Sequence, residues 1–129
     1  MIHHPGFCKV CGEPTHKIER QFPLDHPLVG RPMRGGLGEP LADVVKASLL
    51  LTNGTWADLI VHRKCSSKID GMLPQLWRDI LETFRFEEDN RLLIGAMPLK
   101  PRQKEQQERM LLEMASVAPL GVVYVEAIE

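Results

Sequence analysis

The chain has 129 residues, 43% apolar and 26% charged, with a formal net charge of −1. That length supports about one domain with a modest core. The charge balance excludes a global attraction to nucleic acid, and no apolar run approaches the roughly 20 residues that a membrane span requires.

Residues 1–40 are rich in glycine and proline, as in PGFC, FPLDHP and VGRPMRGGLGEP. Few long helices or central strands survive that density, so loops are expected there, with a short strand around Gln21–Leu24. From Leu41 the pattern changes. Leu41, Val44, Val45, Ser48, Leu49 and Thr52 recur at helical spacing, which predicts a helix over 41–52 that stops at Asn53-Gly54. Residues 55–61 read as a short strand running into His62. Ser66 and Ser67 are good N-cap residues for a short helix reaching about Gly71.

Pro74 suits the first turn of a helix over 73–84, whose buried stripe is Leu76, Ile80, Leu81 and Phe84. Residues 91–96 are expected as a strand followed by a bend. Pro101 opens a helix to Val117, polar in its first half, with Met110, Met114 and Val117 on one line. Residues 121–128 finish as a strand. With only 5% aromatic residues the core rests on Leu, Val, Ile and Met, and Trp56 is assigned to it. The fold class expected is α+β: residues 1–70 and 71–129 are two halves of a single compact domain. The strands at 91–96 and 121–127 are parallel, antiparallel or unpaired.

Three cysteines are an awkward number for a secreted disulfide framework. They suit a metal site in which a histidine is the fourth ligand. Cys8-x-x-Cys11 followed by Gly12 has the form of a zinc knuckle, in which two thiolates grip one ion and the glycine takes a positive φ. His62-x-x-Cys65 repeats the spacing with imidazole in place of one thiolate. Three sulfurs and one nitrogen form a closed tetrahedral set, the coordination of one structural Zn2+ with no position for substrate water. Arg63 and Lys64 lie between the last two ligands and offset the charge of such a centre. A redox dithiol is the competing reading of Cys8 and Cys11, and His3, His4 and His16 are alternative donors.

Three stretches, CKVCG (8–12), LDHPLVGRPMRGG (24–36) and DLIVHRKCSSK (58–68), resemble the treble-clef zinc version of the HNH endonuclease family. The resemblance covers about the first 70 residues. It implies a treble-clef-like front half, with Asp25 and His26 near the metal-ligand and general-base positions and Asp58 in place of the family's Asn. It gives His62 and Cys65 the second zinc pair. Ser66 then stands where the histidine of the catalytic metal belongs. Water activation needs a base and a divalent ion bound by imidazole and carboxylate, so the catalytic set looks eroded.

The function expected is a non-catalytic structural-zinc module docking onto a larger protein or nucleoprotein complex. The resemblance implies a bacteriophage-type accessory or host-factor-binding protein. The alternatives are an HNH-type metal-dependent endonuclease acting through His26 and Asp25, and a nucleic-acid binder using Arg31, Arg34, Arg63, Lys64 and Lys68. Residues 1–70 hold nine Lys and Arg against seven Asp and Glu, and residues 71–129 hold seven against ten, so any such contact belongs to the first half. No small-molecule substrate and no membrane partner are expected. The N-terminus carries no basic region followed by an apolar stretch, so the expected location is the cytoplasm, the host's for a viral chain.

Overall fold

The structure, a computed structural model, describes residues 2–128. Its elements in chain order are β1 (His16–Ile18), β2 (Leu37–Pro40), β3 (Val44–Leu51), β4 (Trp56–His62), α1 (Arg63–Ser66), a 3-10 turn (Ile69–Met72), α2 (Leu73–Asp89), α3 (Pro101–Ser116) and β5 (Pro119–Ala127). The chain is an α+β protein. β1 and β2 form a small antiparallel pair, and a second sheet has the order β4-β3-β5, also antiparallel throughout. Among the described residues, no helix is long and apolar enough to cross a membrane.

The helix expected over 41–52 is instead β3, the central strand. Its run is apolar enough to satisfy a helical period and a central strand paired along both edges alike. The tertiary environment decides. β4 pairs along one side, from Val44 opposite His62 to Leu50 opposite Trp56. β5 pairs along the other, from Val45 opposite Ala127 to Leu51 opposite Pro119, with two bulges. Asn53-Gly54 is a hairpin turn between strands, with Gly54 at φ 81° and its amide donating to the Leu51 carbonyl.

The strand expected over 91–96 is also absent. α2 runs five residues past its expected end, and the chain continues in helical-type turns: the Ile94 amide donates to Asn90 O and the Ala96 amide to Arg91 O. Leu92 and Leu93 are better helix than strand formers and meet no sheet edge, and both are exposed. The C-terminal strand therefore pairs with β3. Around Gln21 only an isolated bridge to Pro32 forms. Ser66 and Ser67 do not cap a helix start: α1 begins at Arg63, and their hydroxyls donate back to Arg63 O and Lys64 O.

Alternation along the sheet sets its two faces. Val45, Ala47, Leu49 and Leu51 with Leu59 and Val61 point to the core, where Ile69, Leu76, Trp77 and Ile80 meet them. Each Val, Leu or Ile among them contributes about 1.5–3 kcal/mol by leaving water. Of the expected α2 stripe, Leu76 and Ile80 are buried, but Phe84 is exposed and Trp77 and Thr83 take the inner positions. Trp56, assigned to the core from sequence, is 61% exposed on the opposite face. Its position opposite Leu50 in the register puts it outside. α3 has no buried residue; Met114 and Val117 pack against the core's edge.

Candidate metal centre

The first ligand pair sits in a tight turn. Cys8 N donates to Glu13 O at 2.8 Å, Gly12 N donates to Cys8 O at 3.0 Å, and Gly12 adopts φ 79°. This folds the chain back so that Phe7 bridges Pro14 and both thiols face one side. The second pair begins where β4 ends. His62 closes the ladder with Val44, and Arg63 N donates to Asp43 O at 2.7 Å, which starts α1. One helical turn then brings Cys65 inward, where it is buried.

The sulfurs of Cys8, Cys11 and Cys65 and a ring nitrogen of His62 all lie within 4.8 Å of one another, and these four side chains can hold one metal ion. A tetrahedral ion with bonds of about 2.3 Å to sulfur places sulfurs roughly 3.8 Å apart, so the set is already near the required size. Nδ1 of His62 is 3.3 Å from Cys11 Sγ. Its Nε2 lies 3.1 Å from Pro14 O, which can only accept, so Nε2 carries the proton and the Nδ1 lone pair is free for an ion. Ring orientation and tautomer are thus fixed from outside the ligand set.

The thiols differ in acidity. Burial pushes Cys8 upward, but backbone amides of Cys11, His62 and Val10 more than offset it and hold the group at about 7. Val10 N points at Cys8 Sγ from 3.4 Å. Cys65 is pushed up to about 11 by burial and then by the charge on Cys8. Three adjacent thiolates repel unless a cation lies between them.

The alternative donors lie outside the group. His3 Nδ1 meets Cys8 O at 2.7 Å, and its backbone amide donates to Thr83 Oγ1, tying the knuckle to α2. His4 packs edge-on against Phe86, and His16 pairs with Thr15 Oγ1. The supporting roles of His3 and Pro14 are not legible from spacing, because each depends on where a distant segment docks.

The residues that the resemblance singles out are engaged separately. Asp25 is exposed. His26 stacks on Phe22 with centroids 4.2 Å apart, and its Nδ1 accepts from Leu28 N at 3.0 Å. Asp58 accepts from Ser48 Oγ at 2.7 Å on the outer sheet face, and Ser66 bonds its own helix. None of these joins a metal-holding group among the described residues. Of the basic residues, Arg63, Lys64, Lys68 and Arg34 are exposed, whereas Arg31 is partly buried and lies over the Phe86 ring. Compared with protein-family models, curated proteins and solved structures, the chain matches none.

Proposed function

We propose that the protein is a non-catalytic zinc module, treble-clef-like in its front half, that docks onto a larger protein or nucleoprotein complex in the cytoplasm. The observation that supports it is the convergence of three thiols and one correctly oriented imidazole on a single point. Soft sulfur ligands in a four-membered set favour Zn2+, and a complete set leaves no open position for substrate. The ion's contribution is then structural: it joins the Cys8–Cys11 turn to the junction of β4 and α1.

The reading as a docking module draws on the outer face of the β4-β3-β5 sheet. Trp56 and Tyr124 stand exposed there, and β4 and β5 leave open edges of the kind that accept an added strand. A nuclease reading has weaker support. His26 Nδ1 already accepts a backbone amide, so its proton sits on Nε2, and neither Asp25 nor Asp58 accompanies it in a ligand group. The kinship with eroded HNH-like proteins of bacteriophage type remains part of the proposal and rests on the motifs at 8–12, 24–36 and 58–68.

The test is metal analysis of gently isolated protein together with plasmid nicking in magnesium, manganese or nickel. One zinc per chain and no cutting is the expected result. Metal-dependent cutting that disappears in His26→Ala would establish the endonuclease instead. The exposure of Arg63, Lys64 and Lys68 beside the ligands favours a second reading, phosphate-backbone binding. That reading requires affinity to fall with salt by about one log-log unit per contact.

A further inference from the structure

A cleft of about 560 Å³ lies away from the metal ligands, bounded by His4–Pro5, by the 22–37 loop and by residues 87–96 beyond the middle of α2. Small-molecule sites occupy roughly 300–1,000 Å³, with mostly apolar walls and a few converging polar groups. Phe22, Leu28 and Ile94 supply apolar wall here, and Arg31, Arg34 and Arg91 line it as well. Glu87 is the one acidic side chain in the lining.

The polar groups are unevenly paired. Arg91 lies 3.4 Å from Glu88 and donates from Nε to Met97 O, so it is committed to its own turn. Glu87 faces His4 Nδ1 at 3.8 Å. Two lining atoms are buried without a hydrogen-bond partner among the described residues: Nη1 of Arg31 and Nε2 of His4. A guanidinium only donates and stays charged at any working pH, and leaving such a group buried and unpaired is costly. The Arg31 guanidinium is held in place by the Phe86 ring, 5.7 Å from its centroid. No acceptor among the described residues reaches Arg31 Nη1, and an anionic ligand satisfies both that hydrogen bond and the excess of arginine charge.

We propose that this cleft binds a small organic anion, with its phosphate or carboxylate head against Arg31 and Arg34 and its apolar body against Phe22, Leu28 and Ile94. The volume of about 560 Å³ suits a small molecule, and the apolar wall selects an organic anion over a bare inorganic one. The inference does not rest on the zinc reading and runs against the sequence expectation of no small-molecule ligand. His4, Arg31 and Ile94 come from three distant stretches, so no local motif announces the site.

Titration calorimetry on the full chain tests it with phenylphosphate and octanoate as probes, and with inorganic phosphate and benzyl alcohol as partial ligands. Saturable binding of one organic anion is expected, at least about tenfold tighter than either partial ligand. Preference for phenylphosphate or for octanoate identifies the head group. Arg31→Met keeps the stem over Phe86 and should weaken binding by about tenfold or more, and Arg34→Gln, at an exposed position, should weaken it several-fold. Circular dichroism checks both variants, and Arg34→Gln decides alone should Arg31→Met fail to fold. Absence of saturable binding by both probes, equal binding of inorganic phosphate, or unchanged affinity in the folded variants overturns the proposal.

Discussion

His62 Nδ1 lies 3.3 Å from Cys11 Sγ, although 51 positions separate the two residues. Cys11 is exposed and sits in a loop, while the His62 ring is oriented from outside the ligand group by Pro14 O. On the proposed zinc reading an ion lies between them, and removing it should release the knuckle from the end of β4. Structural zinc contributes on the order of 10 kcal/mol in small metal-folded domains, comparable with the whole net stability of a domain. A strong chelator, or Cys65→Ser, should therefore lower the melting temperature by roughly 15 °C or more. Thermal denaturation paired with metal analysis checks this; loss of metal without a change in melting temperature would refute a structural role.

Acid should weaken metal binding in two stages. With Cys8 at about 7 and Cys65 at about 11, a neutral to mildly alkaline solution presents one thiolate and one thiol from this pair. Loading the ion must expel the Cys65 proton, and below about pH 7 it must expel the Cys8 proton too. The logarithm of affinity should fall more steeply with decreasing pH below 7 than above it. Calorimetry in buffers of different ionisation enthalpy counts the protons directly, and a count that stays constant across pH 7 contradicts the assignment.

The metal-free chain should show the corresponding stability maximum. Cys8 has a folded pKa below its ordinary 9.0, so its contribution is complete above 9 and is lost as pH falls through about 7. Cys65 has a raised folded pKa, so its contribution is complete below 9 and is lost as pH rises through about 11. The two windows overlap near pH 9. The urea midpoint of chelated protein should peak there, and a midpoint that rises steadily toward acid would show that other groups dominate.

The same substitution should be costly at one tryptophan and nearly neutral at the other. Trp77 is buried on α2 and its Nε1 donates to Met114 O at 3.2 Å, joining α2 to α3. Trp77→Ala should cost about 3–5 kcal/mol. Trp56 stands outside the sheet, and Trp56→Ala should move stability by no more than about 0.5 kcal/mol while reducing any docking through that face. Denaturant titration of the two variants separates them, and a large loss at Trp56 would mean that the outer face is covered within the folded chain.

The four side chains of the candidate metal centre were legible as a group because their spacing is local within each pair, and only the meeting of the two pairs is long-range. The α2 and α3 helices were legible for a related reason: Pro74 and Pro101 mark their starts, and one face repeats at helical spacing. β3 was not, since an apolar run flanked on both sides satisfies two periods, and only the arrival of β4 and β5 chooses between them. Residues 91–96 failed in the reverse sense. Their apolar run found no sheet edge to join, and its leucines favour the helical-type turns that follow α2. The exposure of Trp56 follows from β3 as well, because its face is set by the hairpin register rather than by its own hydrophobicity.

Asp70 illustrates a constraint of that long-range kind and should be more important than its exposure indicates. Its Oδ1 accepts from Val122 N at 2.9 Å, linking the 3-10 turn after the metal ligands to the start of β5. Gly121 lies beside it, where a Cβ would come within 3.3 Å of the same oxygen at a φ of 155°. The carboxylate thus anchors a backbone path that a side chain at 121 would crowd. A hydrogen bond to a charged acceptor contributes about 1.5–3 kcal/mol, and partial exposure reduces the loss expected for Asp70→Ala to about 1–2 kcal/mol. Gly121→Ala should cost a similar amount through backbone strain and crowding. Because both act on one contact, the double variant should lose clearly less than the sum of the two single losses. Chemical denaturation of all three variants measures the coupling, and strict additivity would show that β5 is held by its pairing with β3 alone.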